Sequence, residues 1–200
     1  MADSSPAPRQ AICPGREAVQ ARGVSLLGVR VTALAALSVA EHARRDRAGL
    51  GAVTSPALLD RLLDLPAGVP VADVVAWAAL AGQPPGIAAC AADGRTVTRL
   101  LTPPLTISDV VLPAAPGREI AAVQAASLFA GFTRRWIAVQ RHRVPDAAVL
   151  EAEFSGVGIL DRHGGVLLAG GAPICAVIDQ WGWLLQEKAY RRWLGQRPGR

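Results

Sequence analysis

The chain has 200 residues, 51% of them hydrophobic, and its 21 Lys and Arg against 16 Asp and Glu give a formal net charge of +5. That length and apolar content suit one globular domain and exclude a chain too polar to fold. The charge excess is local: Met1 to Glu187 holds 16 arginines and 16 acidic residues, so all of it comes from Lys188, Arg191, Arg192, Arg197 and Arg200.

A formally neutral body excludes a broadly basic nucleic-acid-binding surface. It leaves a basic C-terminus, residues 196–200 with the end of the preceding helix, which would bind nucleic acid weakly and without sequence preference if it binds it at all. The arginine-to-lysine ratio of 20 to 1, the absence of Asn and the abundance of Ala, Gly and Pro match coding from a GC-rich genome. Cys13, Cys90 and Cys175 are odd in number, widely spaced and free of any C-x-x-C pair, which argues against a disulfide framework or a zinc ribbon. The longest uncharged run, Val74 to Ala92, is broken by Gly82-Gln-Pro-Pro-Gly86, so no membrane span is expected. A reduced, cytoplasmic protein is the expectation.

In chain order, residues 1–15 are rich in Ser, Pro and Ala and read as a disordered leader ahead of a single domain over 16–195. From Glu17 to Arg45 a helix is expected, with Val24, Leu27, Val31 and Leu34 as its stripe. A short strand near Ser25 to Val31 is the alternative, because Gly23 and Gly28 weaken a helix and Val29, Val31 and Thr32 are β-branched. Ser55-Pro56 starts a short helix carrying Leu58, Leu59, Leu62 and Leu63. Pro70 opens another, over Val71 to Ala81. Its only charged residue is Asp73, which makes a core helical hairpin a better reading than DNA-binding helix-turn-helix.

The mixed part, 93–195, begins with a strand over Arg95 to Leu101. A helix introduced by Pro116-Gly117 follows, carrying Ile120, Val123, Ser127 and Ala130 and ending near Thr133. Arg135 to Arg143 then reads as a strand, and so does Val149 to Phe154, in which Leu150, Ala152 and Phe154 alternate with Glu151 and Glu153. Val157 to Leu160 and Val166 to Ala169 flank a turn at Asp161-Arg-His-Gly-Gly165. Pro173 suits the start of a long terminal helix whose stripe is Ile174, Ile178, Trp181, Leu185 and Ala189. The predicted fold class is therefore α+β: a helical N-terminal half (16–92), a C-terminal antiparallel β-meander and a long terminal helix.

No P-loop, dinucleotide fingerprint or nucleophile elbow is present, and no cofactor or bound metal is expected. The one concentration of ligand-type side chains is His142, Asp146, Glu151, Glu153, Asp161 and His163. Imidazoles with carboxylates can hold a divalent metal or transfer protons, so His142, Asp161 and His163 are the candidate catalytic residues of an acid–base or metal-assisted enzyme. The competing and preferred reading is a non-catalytic interaction or regulatory protein, with a protein partner or self-association. Trp183 and Tyr190, seven residues apart and off the Trp181 stripe, are its candidate interface, because exposed aromatics dominate interface energetics; burial of both inside the fold is the alternative.

Overall fold

A computed structural model describes residues 17–140, 143–172 and 178–197. The leader, His142, Pro173, Cys13, Cys175 and Arg200 lie outside the described residues.

The N-terminal half is not helical, which overturns the predicted fold class. Glu17–Leu26 (β1) and Val29–Leu37 (β2) form an antiparallel hairpin. Its turn residues Leu27 and Gly28 have φ of 52° and 76°, the positive pair that a two-residue hairpin of the favoured twist requires. The buried positions Val19, Ala21, Val24 and Leu26, then Val31, Ala33, Ala35 and Leu37, alternate as a strand demands, apart from one irregularity between Ala21 and Val24 that holds Gly23 at φ 69°. An alanine-rich alternation also satisfies a helical stripe, and the strand wins because partner strands are available to pair with it. A helix begins only at Val39–Arg47 (α1), capped by the Ser38 side chain accepting from Glu41 N.

Pro56–Leu63 (α2) follows, with Ser55 as its cap and Pro56 in its first turn, as the sequence predicts. Pro70 opens no helix. Pro70–Ala72 is a strand (β3), and Asp73 caps a shorter helix, Val74–Leu80 (α3). With Ala88–Cys90 (β4) and Thr96–Arg99 (β5), β3 makes a small sheet in the order β3-β5-β4.

Leu105–Ala114 (β6), Glu119–Ser127 (α4), Arg134–Val139 (β7), Asp146–Ser155 (α5), Gly158–Leu160 (β8) and Val166–Leu168 (β9) complete the main sheet, ordered β1-β2-β6-β7-β8-β9. Here the predicted meander fails. β7 runs parallel to both β6 and β8, and the segment between β7 and β8 is the crossover helix α5, not a strand. Pro145 at its entry, Ala147, Ala148 and Ala152 inside it and Gly156 in a left-handed cap (φ 63°) specify a helix, and the apparent period of two over Leu150, Ala152 and Phe154 is overridden. Only β8–β9 pairs as the expected hairpin.

Register aligns Ala33 with Val110 and Val110 with Arg135, while Leu112 aligns with Ile137 and Ala114 with Val139, so these buried residues share one face of the sheet. That face carries the helices, and its residues join theirs in one hydrophobic cluster. On the other face Thr106, Ser108 and Pro113 are exposed. Gln180–Gln196 (α6), capped by Asp179 accepting from Gly182 N, packs along β1 and against α2 and β6.

Candidate functional site

Between α1 and α6 the protein buries a cluster of charge. The Arg45 guanidinium is fully buried and pairs with Glu187, NH1 to Oε2 at 2.8 Å and NH2 to Oε1 at 2.6 Å. Its Nε donates to Glu41 Oε1 at 2.7 Å, and its remaining N–H groups reach the carbonyls of Gly51 and Thr102. All five donors of the guanidinium therefore have partners, which is the condition for burying it. Glu187 also accepts from Val53 N at 2.9 Å and Trp183 Nε1 at 3.2 Å. Arg44 closes the set by pairing with Glu41 through Nε and NH2.

Burial alone would raise the Glu41 carboxyl, but the hydrogen bonds and charges of Arg44 and Arg45 outweigh it and hold the group below the usual carboxylate range. Burial likewise works against the charge on Arg45, and its pairing with Glu187 and Glu41 overcomes that penalty and pushes the guanidinium up. Tyr190 lies beneath Arg45, 5.3 Å from ring centroid to guanidinium carbon, and burial raises its hydroxyl above the ordinary tyrosine value. The Tyr190 hydroxyl sits 2.8 Å from His42 Nδ1, while Arg197 donates to His42 Nε2 at 3.1 Å. This region staples the terminal helix to the body.

The expected aromatic interface is not where the sequence placed it. Trp183 and Tyr190 are each 1% exposed, Trp193 is buried beside them, and Trp181, expected in the core, is 38% exposed. β1, β6 and α2 pack around the helix, and Glu187, on the same face as Trp183, must reach Arg45, which turns Trp183 and Tyr190 inward. Trp183 and Tyr190 thus present no side-chain surface to a partner.

The basic end of α6 is largely occupied as well. Lys188 Nζ donates to Ser25 O at 3.0 Å, Arg192 Nε to Gly23 O at 3.1 Å and Gln196 Nε2 to Arg22 O at 3.1 Å. These side chains, at four-residue spacing, cover the carbonyls of β1, an edge strand of the sheet, and so protect it from pairing with another chain. Arg197 lies over the Trp193 ring at 4.3 Å. Arg191 stays exposed on a groove of about 470 Å³ lined also by Gly23, Ser25, Lys188, Arg192 and Gln196.

At the other end of the sheet, Asp161 Oδ1 accepts from His163 N at 2.7 Å and Gly165 N at 2.8 Å, a side chain closing its own turn. His163 is exposed and its Nε2 takes a hydrogen bond from Arg162 Nε. Asp146, Glu151 and Glu153 ride on α5 instead of a strand, and His142, the remaining member of the expected cluster, lies outside the described residues. Among the described residues no group of three or more His, Cys, Asp and Glu side chains could hold a metal ion.

The surface feature that sequence reasoning missed is the outer side of α4 and α5, two helices in mutual contact. On α5, Leu150 is 65% exposed and Phe154 93% exposed, one turn apart, with exposed Ala147 completing the stripe. On α4, Ile120 and Leu128 are 42% and 50% exposed. Only Gln124 interrupts the α4 stripe, and Glu153 and Asp146 border that of α5. Beside the start of α5 lies a hollow of about 430 Å³ lined by Arg143, Val144, Pro145 and Asp146. The signal was present in the sequence as two segments, Ile120 to Leu128 and Ala147 to Phe154, whose apolar residues are not confined to one helical face.

No family matches the chain, no curated protein matches its sequence and no solved structure matches its fold.

Proposed function

We propose that the chain is a non-catalytic interaction protein that works through protein–protein contacts at the outer face of α4 and α5. The observation that carries this reading is Phe154, a phenylalanine 93% exposed at the end of an apolar stripe. A single exposed apolar residue is ordinary, but contiguous ones on adjacent helices mark a contact surface. The acid–base or metal-assisted alternative rests on His142, Asp161 and His163, of which Asp161 accepts from His163 N and Gly165 N in its own turn. Among the described residues the nucleic-acid alternative keeps Arg191 and its groove, since Lys188, Arg192 and Arg197 already have protein partners. No helix of the described residues is long and apolar enough to cross a membrane. The same reading places the protein in the cytoplasm, where the half-buried Cys90 stays a free thiol.

The test is affinity capture from the native host with tagged wild type and tagged Phe154→Asp. The wild type is expected to retain a protein, a second copy of the chain included, that the variant loses. Identical retention by both would remove the reading.

A further inference from the structure

We propose that the groove between the end of α6 and the irregular stretch of β1 binds a compact polyphosphate, a ligand that carries two or more adjacent phosphate groups. The site lies on a different part of the surface from the α4–α5 face and does not depend on the interaction reading above.

Charge is the first argument. The groove, about 470 Å³, is of small-ligand size, and Lys188, Arg191 and Arg192 supply its charge. The rest of its lining is glycine, serine and glutamine, with no carboxylate and no apolar side chain. An acyl chain gains nothing there, whereas an anion does. Lys188 stands three residues from Arg191 and four from Arg192, spacings at which like charges on a helix repel. None of these three cations has an ion pair among the described residues. A phosphate monoester carries about −1.5 to −2 at pH 7 and would leave the groove positive, while a di- or triphosphate matches it.

Fixed geometry is the second. Lys188 Nζ is held by Ser25 O and Arg192 Nε by Gly23 O, at 3.0 and 3.1 Å. Each contact uses a single donor, so the rest of the ammonium and the NH1 and NH2 ends of the guanidinium stay available to a ligand. Side chains anchored in advance lose little freedom on binding. Gly23, at φ 69°, turns its carbonyl to Arg192, and a Cβ added at Gly195 would meet nothing within 4 Å, so the helix side of the recess is open. A long nucleic-acid strand asks instead for a track of cations with aromatic platforms for its bases, and here Trp183, Tyr190 and Trp193 of α6 are buried.

The test is calorimetric titration of the full chain with inorganic triphosphate at low salt, where a single site is expected whose affinity falls as salt rises. Arg191→Ser removes an exposed cation that has no partner in the fold, and it should weaken binding by about tenfold or more. Gly195→Glu keeps every cation but sets a carboxylate within reach of Arg191 and Arg192, one turn back, and should abolish binding. Its new side chain enters open space, so circular dichroism and the melting midpoint should match the wild type. Arg118→Ser, an equal loss of charge at the start of α4, should leave the affinity unchanged. A nucleoside triphosphate should bind about as tightly as inorganic triphosphate, because nothing in the groove reads a base, and inorganic phosphate should bind about tenfold more weakly or worse. Absence of triphosphate binding, full binding by a folded Gly195→Glu, or an equal loss in Arg118→Ser overturns the site. Inorganic phosphate bound as tightly as triphosphate overturns the ligand class. So does a single-stranded oligonucleotide that binds more tightly than triphosphate and loses its affinity in the same variants, since the occupant is then an extended nucleic acid.

Discussion

At Arg45 the protein takes a guanidinium and the carboxylates of Glu41 and Glu187 out of water, while at Phe154 it leaves an aromatic ring in water. The two regions are built from opposite residue types, and the difference lies in how completely each feature is partnered. The charged cluster is closed: every donor of Arg45 has an acceptor, and Glu187 accepts from Arg45, Val53 and Trp183 together. Such a cluster holds α6 in a single position against α1, since any other packing strands a charge in the interior. The α4–α5 stripe is open, with apolar side chains on the outward as well as the inward side of two helices. A closed polar feature speaks of internal fastening, and an open apolar one of something that covers it.

The largest expected effect comes from opening the closed cluster. Arg45→Leu leaves Glu187 buried without its ion-pair partner and Glu41 with Arg44 alone, and removal of one member of a buried pair costs about 3–5 kcal/mol, measurable as a lowered urea midpoint. Replacing Arg45, Glu41 and Glu187 together by Met sharpens the comparison. Apolar replacement of a whole buried ion cluster is often neutral, but here it would still leave Val53 N–H and Trp183 Nε1–H without their acceptor. The triple variant should therefore recover only part of the loss. Full recovery would show that the fastening by Glu187 reduces to its pairing with Arg45.

A comparable loss is expected at Trp183. Its ring is 1% exposed, and truncating a buried aromatic typically costs about 3–5 kcal/mol, so Trp183→Ala should lower the thermal midpoint severely. Trp181→Ala, at a side chain 38% exposed, should cost less than half of that. The sequence stripe Ile178, Trp181 and Leu185 predicts the reverse order, so the two melts decide between that stripe and the packing observed.

Local chemistry was legible in the sequence and long-range pairing was not. Ser55-Pro56 and the Asp161 turn are short-range signals that tertiary context left alone. The long terminal helix was expected as well, but its phase was not, because the first half of α6 is buried on nearly every side, Gln186 and Glu187 included, so an apolar stripe does not mark its inward face. The β1–β2 hairpin was hidden by alanines compatible with either period, and its Leu27-Gly28 turn lacks the Asn-Gly or Asp-Gly that usually announces one. At 147–155 the misreading concealed the candidate site. As a half-buried strand, Leu150 and Phe154 would face the core. As a helix crossing between parallel strands, they face out. The Arg45 cluster could not be anticipated at all, since its members are 142 residues apart in the chain and meet only through the fold.

The smallest expected effect on the folded chain is at the open stripe, and its smallness is the informative quantity. With 93% of its surface in water, Phe154 has little to lose inside the monomer, so Phe154→Asp should change stability by about 0.5 kcal/mol or less, as at ordinary surface sites. A variant whose urea midpoint falls well below that of the wild type would mean that Phe154 is packed inside the monomer, and the contrast between the closed cluster and the open stripe would then disappear.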